Sequence, residues 1–222
     1  IFTIIWVAGI TNAVNLIDGL DGLAGGMSVI VLVVIGSIAI IERRSDLLSI
    51  AFILASGTLG FLIYNAHPAS IFMGDCGSLF LGFMISAISL LGFKSSTILT
   101  LALPILLLML PIIDTLSAIL RRTLKGMKFM EADKSHIHHL LMRQFGHRNT
   151  VIIMCGLTSL FGLSAFAYMI NRNIGFIVMI IILLSVELFI EKSAMISEKF
   201  HPLIGLWHRI QRKYKKILRK VG

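Results

Sequence analysis

Long apolar runs separated by short polar breaks dominate this chain. They lie at roughly 1–14, 24–41, 47–66, 78–93, 97–120, 150–170 and 174–191. Most approach the roughly 20 residues that a helix needs to cross a hydrocarbon core. Backbone polar groups in lipid must be satisfied internally, which helices do. The pattern therefore predicts an all-α, polytopic transmembrane bundle of about six to seven membrane helices. Only 11 residues, most of them apolar, precede Asn12, so this is either a short re-entrant segment or, as expected here, a first helix cut within its outer half.

The connections alternate between two sets. Glu42–Asp46, Lys94–Ser96 and Asn171–Asn173 are short, whereas residues 12–23, 65–77, 121–149 and the tail from 192 are longer. Of 20 Lys and Arg, 16 lie in the second set. Positive loops stay in the cytoplasm, so that face is predicted to be cytoplasmic, at a plasma membrane. Small residues recur at four-residue spacing in Gly22/Gly26, Ser56/Gly60 and Ser78/Gly82, which suits close helix packing in lipid.

Composition agrees with a membrane solvent: 57% of the residues are hydrophobic and 14% charged, against about 25% charged in a soluble domain. The net charge of +9 raises nucleic acid as a partner. Its placement beside membrane segments argues for lipid instead, and no nucleic-acid partner is expected. Cys76 and Cys155 have neither disulfide nor zinc spacing.

Two units are predicted, a transmembrane catalytic domain over 1–192 and a basic tail over 193–222. In the tail Leu203, Trp207, Ile210, Tyr214, Ile217 and Val221 form one apolar stripe, with Arg and Lys around the rest. That predicts an amphipathic helix lying in the cytoplasmic interface. A solvated basic tail is the plainer alternative.

Three polar constellations occupy the basic face. The first is NAVNLIDGLDGLAGG, residues 12–26, where Asn15, Asp18 and Asp21 are three apart. On a helix, neighbours at this spacing share a face. Carboxylates at a membrane-embedded helix end need solvation, a partner or a metal. The run fits either a site or a helix-end turn with solvated aspartates. The second is NAHPASIFMGDCGSLFLG, residues 65–82. Pro68 should end one helix and Gly77 precede the next, leaving Asp75 in a tight loop beside a helix N-terminus. That is an anion site or a plain N-cap by Asp75 or Ser78. Phe72 could stack on a flat ligand or dip into the interface. The third, residues 121–148, offers His136, His138 and His139 among cations. This set suits phosphate oxygens better than zinc, and a solvated loop is the alternative. Asp114 lies inside an apolar run, as a functional carboxylate or a salt-bridge partner of Arg121 or Arg122.

Oxygen donors, glycine-lined turns and a histidine cluster among Lys and Arg on one face match magnesium-assisted phosphoryl transfer. An ion-coupled secondary transporter is the rival outside the enzyme class, but its site should lie near the midplane. A silent membrane scaffold would need none of these residues together.

NAVNLIDGLDGLAGG, the run from Asn65 through FMGDCGS to Gly82, and DKSHIHHLL resemble the polyprenyl-phosphate N-acetylhexosamine-1-phosphate transferases, glycosyltransferase family 4. The resemblance covers roughly residues 1–170. The HIHH form is more similar to the N-acetylglucosamine branch than to the phospho-N-acetylmuramoyl-pentapeptide translocase. It implies that undecaprenyl phosphate attacks a UDP-sugar, UMP leaves, and the first lipid-linked intermediate of a cell-wall polymer forms. It further implies that Asp75 and Asn15 hold magnesium, or manganese in its place. Asp18 and Asp21 correspond to active-site aspartates, Asn65 and Phe72 to the nucleotide pocket, and His136, His138 and His139 to the pyrophosphate grip. Undecaprenyl phosphate, a UDP-sugar and membrane lipids are the implied partners, and a homodimer is compatible with it. The family also carries about four earlier helices and a further aspartate pair upstream of the part matched here.

Overall fold

The computed structural model describes residues 1–91 and 137–192. Six helices are found there: α1 Phe2–Leu16, α2 Leu23–Ile41, α3 Ser45–Asn65, α4 Gly74–Leu91, α5 Ile137–Ile170 and α6 Arg172–Lys192. Among the described residues there is no strand, as the all-α prediction requires. The expected span at 97–120, Asp114 and the tail from 193 lie outside the described residues.

Four described helices are long and apolar enough to cross a membrane: Leu23–Ile41, Ser45–Asn65, Gly74–Leu91 and Leu141–Ile170. That is fewer than the six to seven expected. The apolar helices Phe2–Leu16 and Arg172–Val186 are shorter.

Each helix begins and ends for a local reason. Gly22 precedes α2 with φ +77°, a left-handed conformation that glycine adopts without a steric penalty. Pro68 restricts the residues before it, and α3 ends at Asn65 with Ala66 extended. Gly74, at φ +62°, opens α4. Helix α4 thus starts four residues before its apolar run. Asp75 accordingly sits in the first helical turn, not in the loop expected from Gly77, and an acidic residue there complements the helix dipole. Ser78 is one turn inside α4 rather than its cap.

Helix α5 likewise starts well before the expected 150–170. Ile137, Leu140 and Leu141 carry a helical apolar spacing through part of the predicted basic loop. Gly146 (φ 77°, ψ 171°) kinks the helix there. A tight turn at Asn171 joins α5 to α6, and Asn171 Oδ1 accepts from the amides of Asn173 and Ile174. Gly175 then lies so close to the Tyr168 backbone that a Cβ would clash.

Helix α1 packs on α4, α2 on α3, α5 on α6, and α2 also meets α5. One core gathers Trp6, Ile10, Val14, Leu32, Ile35, Ala51, Ile85 and Ile88. Within it Trp6 Nε1 donates to Ser89 Oγ at 3.1 Å, satisfying both polar groups away from water. A second core gathers Ile17, Leu20, Leu23, Met27, Met154 and Phe161. Ile53, Ile63, Phe80, Leu163 and Ile177 point outward, as lipid-facing residues would.

Two of the small-residue pairs do bring helices together. A Cβ on Gly82 would fall 2.7 Å from Thr11 Cα, and one on Gly26 3.1 Å from Cys155 Sγ. The Ser56/Gly60 pair does not, since both are exposed and a Cβ on Gly60 would meet nothing within 4 Å. The packed stripe of α3 is Ala51, Ala55 and Thr58.

Candidate active site

The turn 17–22 and the loop 66–73 meet at one end of the bundle. Helix α1 stops at Leu16, so Asp18 and Asp21 occupy a turn and do not share a helix face with Asn15. Three-residue spacing predicted such a face. The structure separates the two aspartates because Gly19 and Gly22 flank Leu20–Asp21 and let the chain reverse.

Asn15, Asp18, Asp21, Asn65, Phe72, Met73, Gly74 and Asp75 line a cavity of about 310 Å³. Every predicted site residue outside the histidine motif therefore borders one space. Asp18 is half-buried. Burial, and then the Asp75 carboxylate, push its pKa up from 3.8 to about 6. Asn15, Asp18 and Asp75 form an oxygen donor set of the kind magnesium prefers, with room for water and phosphate oxygens. Two facing carboxylates that repel are also what a divalent cation would relieve. Asn15 Oδ1 already accepts from Ser78 Oγ at 2.6 Å, which fixes the amide's orientation.

Asp21 is bonded differently. Its Oδ2 accepts from His67 Nδ1 at 2.9 Å and from the Ala69 amide at 3.2 Å. The His67 bond first, and the Ala69 amide second, hold its carboxyl below the usual range. Asn65 is 3% exposed and ties two loops: Gly22 N donates to its Oδ1 at 3.0 Å, and its Nδ2 donates to the Ile71 carbonyl at 2.9 Å. Phe72 is 76% exposed. With Met73 it walls both this cavity and an apolar groove of about 470 Å³ lined by Ile53, Leu54, Phe61, Ile71, Phe80 and Leu81.

The backbones of His138 and His139 fall in the first turn of α5, while His136 lies outside the described residues. Two other histidines went unnoticed in the sequence. His67 and His147 stack with ring centroids 4.1 Å apart, and His147 Nε2 lies 3.2 Å from the Asp21 carbonyl oxygen. Both stand within motif runs, at NAHP and FGHR. No local spacing links residues so far apart in the chain.

Residues 1–93 match the family model described as "Glycosyl transferase family 4". A Bacillus subtilis protein, "Probable undecaprenyl-phosphate N-acetylglucosaminyl 1-phosphate transferase", is 43% identical over 95% of this chain and 60% of its own length. A Mycolicibacterium smegmatis "Decaprenyl-phosphate N-acetylglucosaminephosphotransferase" is 36% identical over 69% of this chain and 43% of its own length. A "Phospho-N-acetylmuramoyl-pentapeptide-transferase" from Listeria welshimeri is 37% identical over 71% of this chain and 48% of its own length. The chain thus spans between two fifths and three fifths of these relatives. The similarity to glycosyl transferase family 4 thus falls on residues 1–93, the part that carries the cavity.

Proposed function

We propose that the protein transfers N-acetylglucosamine-1-phosphate from a UDP-sugar to undecaprenyl phosphate and releases UMP, opening the membrane stage of a cell-wall polymer. The observation that carries this reading is the shared wall of Phe72 and Met73 between the carboxylate-lined cavity and the apolar groove. A phosphate head could occupy the first while its prenyl chain occupies the second. The names of the relatives support the same chemistry.

A phosphate oxygen of the lipid attacks the sugar-side phosphorus. The bridging P–O bond breaks, and the electron pair leaves with UMP. Asp18 faces this reaction, and its raised pKa suits proton acceptance near neutral pH. Asp75 and Asn15 would hold magnesium or manganese, which neutralises phosphate charge when bound. Asp21 lines the cavity as a flanking group, anchored through His67. Asn65 and Phe72 would border the nucleotide, with the Phe72 ring free to stack on uracil. His136, His138 and His139 would grip the pyrophosphate. The basic bias of 16 in 20 Lys and Arg supports a cytoplasmic site at a bacterial plasma membrane.

The second reading, the phospho-N-acetylmuramoyl-pentapeptide translocase, draws on the Listeria relative. The wider Bacillus match, over 95% rather than 71% of this chain, favours the first. The test is UMP release by the full-length protein in undecaprenyl-phosphate micelles, with UDP-N-acetylglucosamine and UDP-N-acetylmuramoyl-pentapeptide offered separately. Release with the first donor alone is expected. Asp75→Asn should lower it at least about tenfold without loss of membrane insertion. Release with neither donor would reject the reading.

A further inference from the structure

Three side chains from three separate elements converge beside the catalytic cavity. Asp21 comes from the turn between α1 and α2, His67 from the loop after α3, and His147 from α5. One ligand atom from each lies within 4.8 Å of the other two. We propose that Asp21, His67 and His147 form a second metal site, distinct from the magnesium site, for a borderline ion of the zinc class.

The donor chemistry chooses the ion. Two imidazoles and one carboxylate are a zinc, cobalt or ferrous set, whereas magnesium and calcium want oxygen alone. Three protein ligands leave a coordination position open. All three residues line a cavity of about 290 Å³ together with Gly26, Leu62 and Cys155, which leaves room for an ion and its water. Metal-free, the ligands already bond to one another. His67 Nδ1 meets Asp21 Oδ2 at 2.9 Å, and an ion would replace the shared proton. The stacked rings, 23° apart in plane, must rotate for both nitrogens to point at one ion. Arg148 borders the cavity but is exposed, so water screens its charge. Bound there, the ion would clamp α5 against the two loops that wall the catalytic cavity.

The site shares Asp21 with the catalytic cavity, but its test reads metal binding rather than turnover and so stands apart from the transferase reading. Purified full-length protein, stripped with chelator and held in excess magnesium to fill oxygen sites, is titrated with cobalt(II). One saturable equivalent and a visible d–d band are expected. His67→Asn can keep a hydrogen bond to Asp21, and His147→Gln can keep one to the Asp21 carbonyl, yet both lose an imidazole ligand. Each should weaken cobalt binding at least about tenfold and quench the band, while an unchanged elution volume confirms the fold. Asp75→Asn should leave the band in place. No saturable band in the parent protein, or a band that survives both histidine variants because His136, His138 and His139 hold it, would overturn the site.

Discussion

Ser78 Oγ, one turn inside α4, donates to Asn15 Oδ1 in the last turn of α1 at 2.6 Å. A hydroxyl has one proton, and the alternative acceptors, the Gly74 and Asp75 carbonyls, are farther at 3.0 and 3.4 Å. Ser78 is fully buried. This bond makes α4, which carries Asp75, and α1, which carries Asn15, a single rigid edge of the cavity.

Ser78→Ala should therefore act in two ways. Losing a buried hydrogen bond costs about 1 kcal/mol of stability, visible as a lower midpoint of thermal unfolding in detergent. It also frees the Asn15 amide to rotate, so the magnesium concentration for half-maximal UMP release should rise several-fold. An unchanged magnesium dependence would leave the bond a purely structural one.

Asn65 separates scaffold from substrate contact. Its two hydrogen bonds fasten Gly22 at the start of α2 and Ile71 in the loop after α3. Asn65→Ala strands a buried amide N–H and a carbonyl, costing about 1–3 kcal/mol. Asn65→Asp keeps the acceptor for Gly22 but faces the Ile71 carbonyl with an oxygen. Both should lower the unfolding midpoint. A higher KM for the UDP-sugar, measured where each variant remains folded, would add the nucleotide contact to the structural role.

Gly82 tests the close approach of α1 and α4. The atom in the way of a Cβ is Thr11 Cα, which cannot swing aside. Gly82→Ala should cost about 1–3 kcal/mol through overpacking. Gly60→Ala, with open space at its Cβ, should be neutral. Thermal unfolding of both variants in the same detergent gives the comparison.

Sequence periodicity placed α2 and α3 nearly to the residue because lipid demands continuous apolar runs. The runs NAVNLIDGLDG and FMGDCGS, together with Asn65, border one cavity through Asn15, Asp18, Asp21, Asn65, Phe72 and Asp75. Backbone geometry decided what was not legible. Gly74 opens α4 early, which turned Asp75 from a loop residue into a first-turn residue and Ser78 from a cap into a cross-link. The stop at Leu16 sent Asp21 toward His67, where helical spacing had grouped it with Asn15 and Asp18. His147 reaches Asp21 across 126 positions. Only packing of α5 on α2 creates that contact.

Asp18 gives the last prediction, a pH dependence with a defined sign. Its pKa is 3.8 unperturbed and about 6 in the fold, raised by burial and then by Asp75. Between those values the folded state binds more protons than the unfolded state, so stability falls as pH rises through that window. The favourable term is fully present below pH 3.8 and is gone above about 6. Asp18→Asn removes the ionisable group, so the stability difference between variant and parent should shift in the variant's favour as pH rises from 4 to 7. Activity should move the other way. If Asp18 must be ionised to accept a proton, turnover of the parent falls below about pH 6, while Asp18→Asn has low turnover at every pH. Unfolding midpoints and initial rates of UMP release, taken at the same pH values, check both limbs. A parent with flat turnover from pH 5 to 8 would remove Asp18 from the chemical step and leave it a binding group.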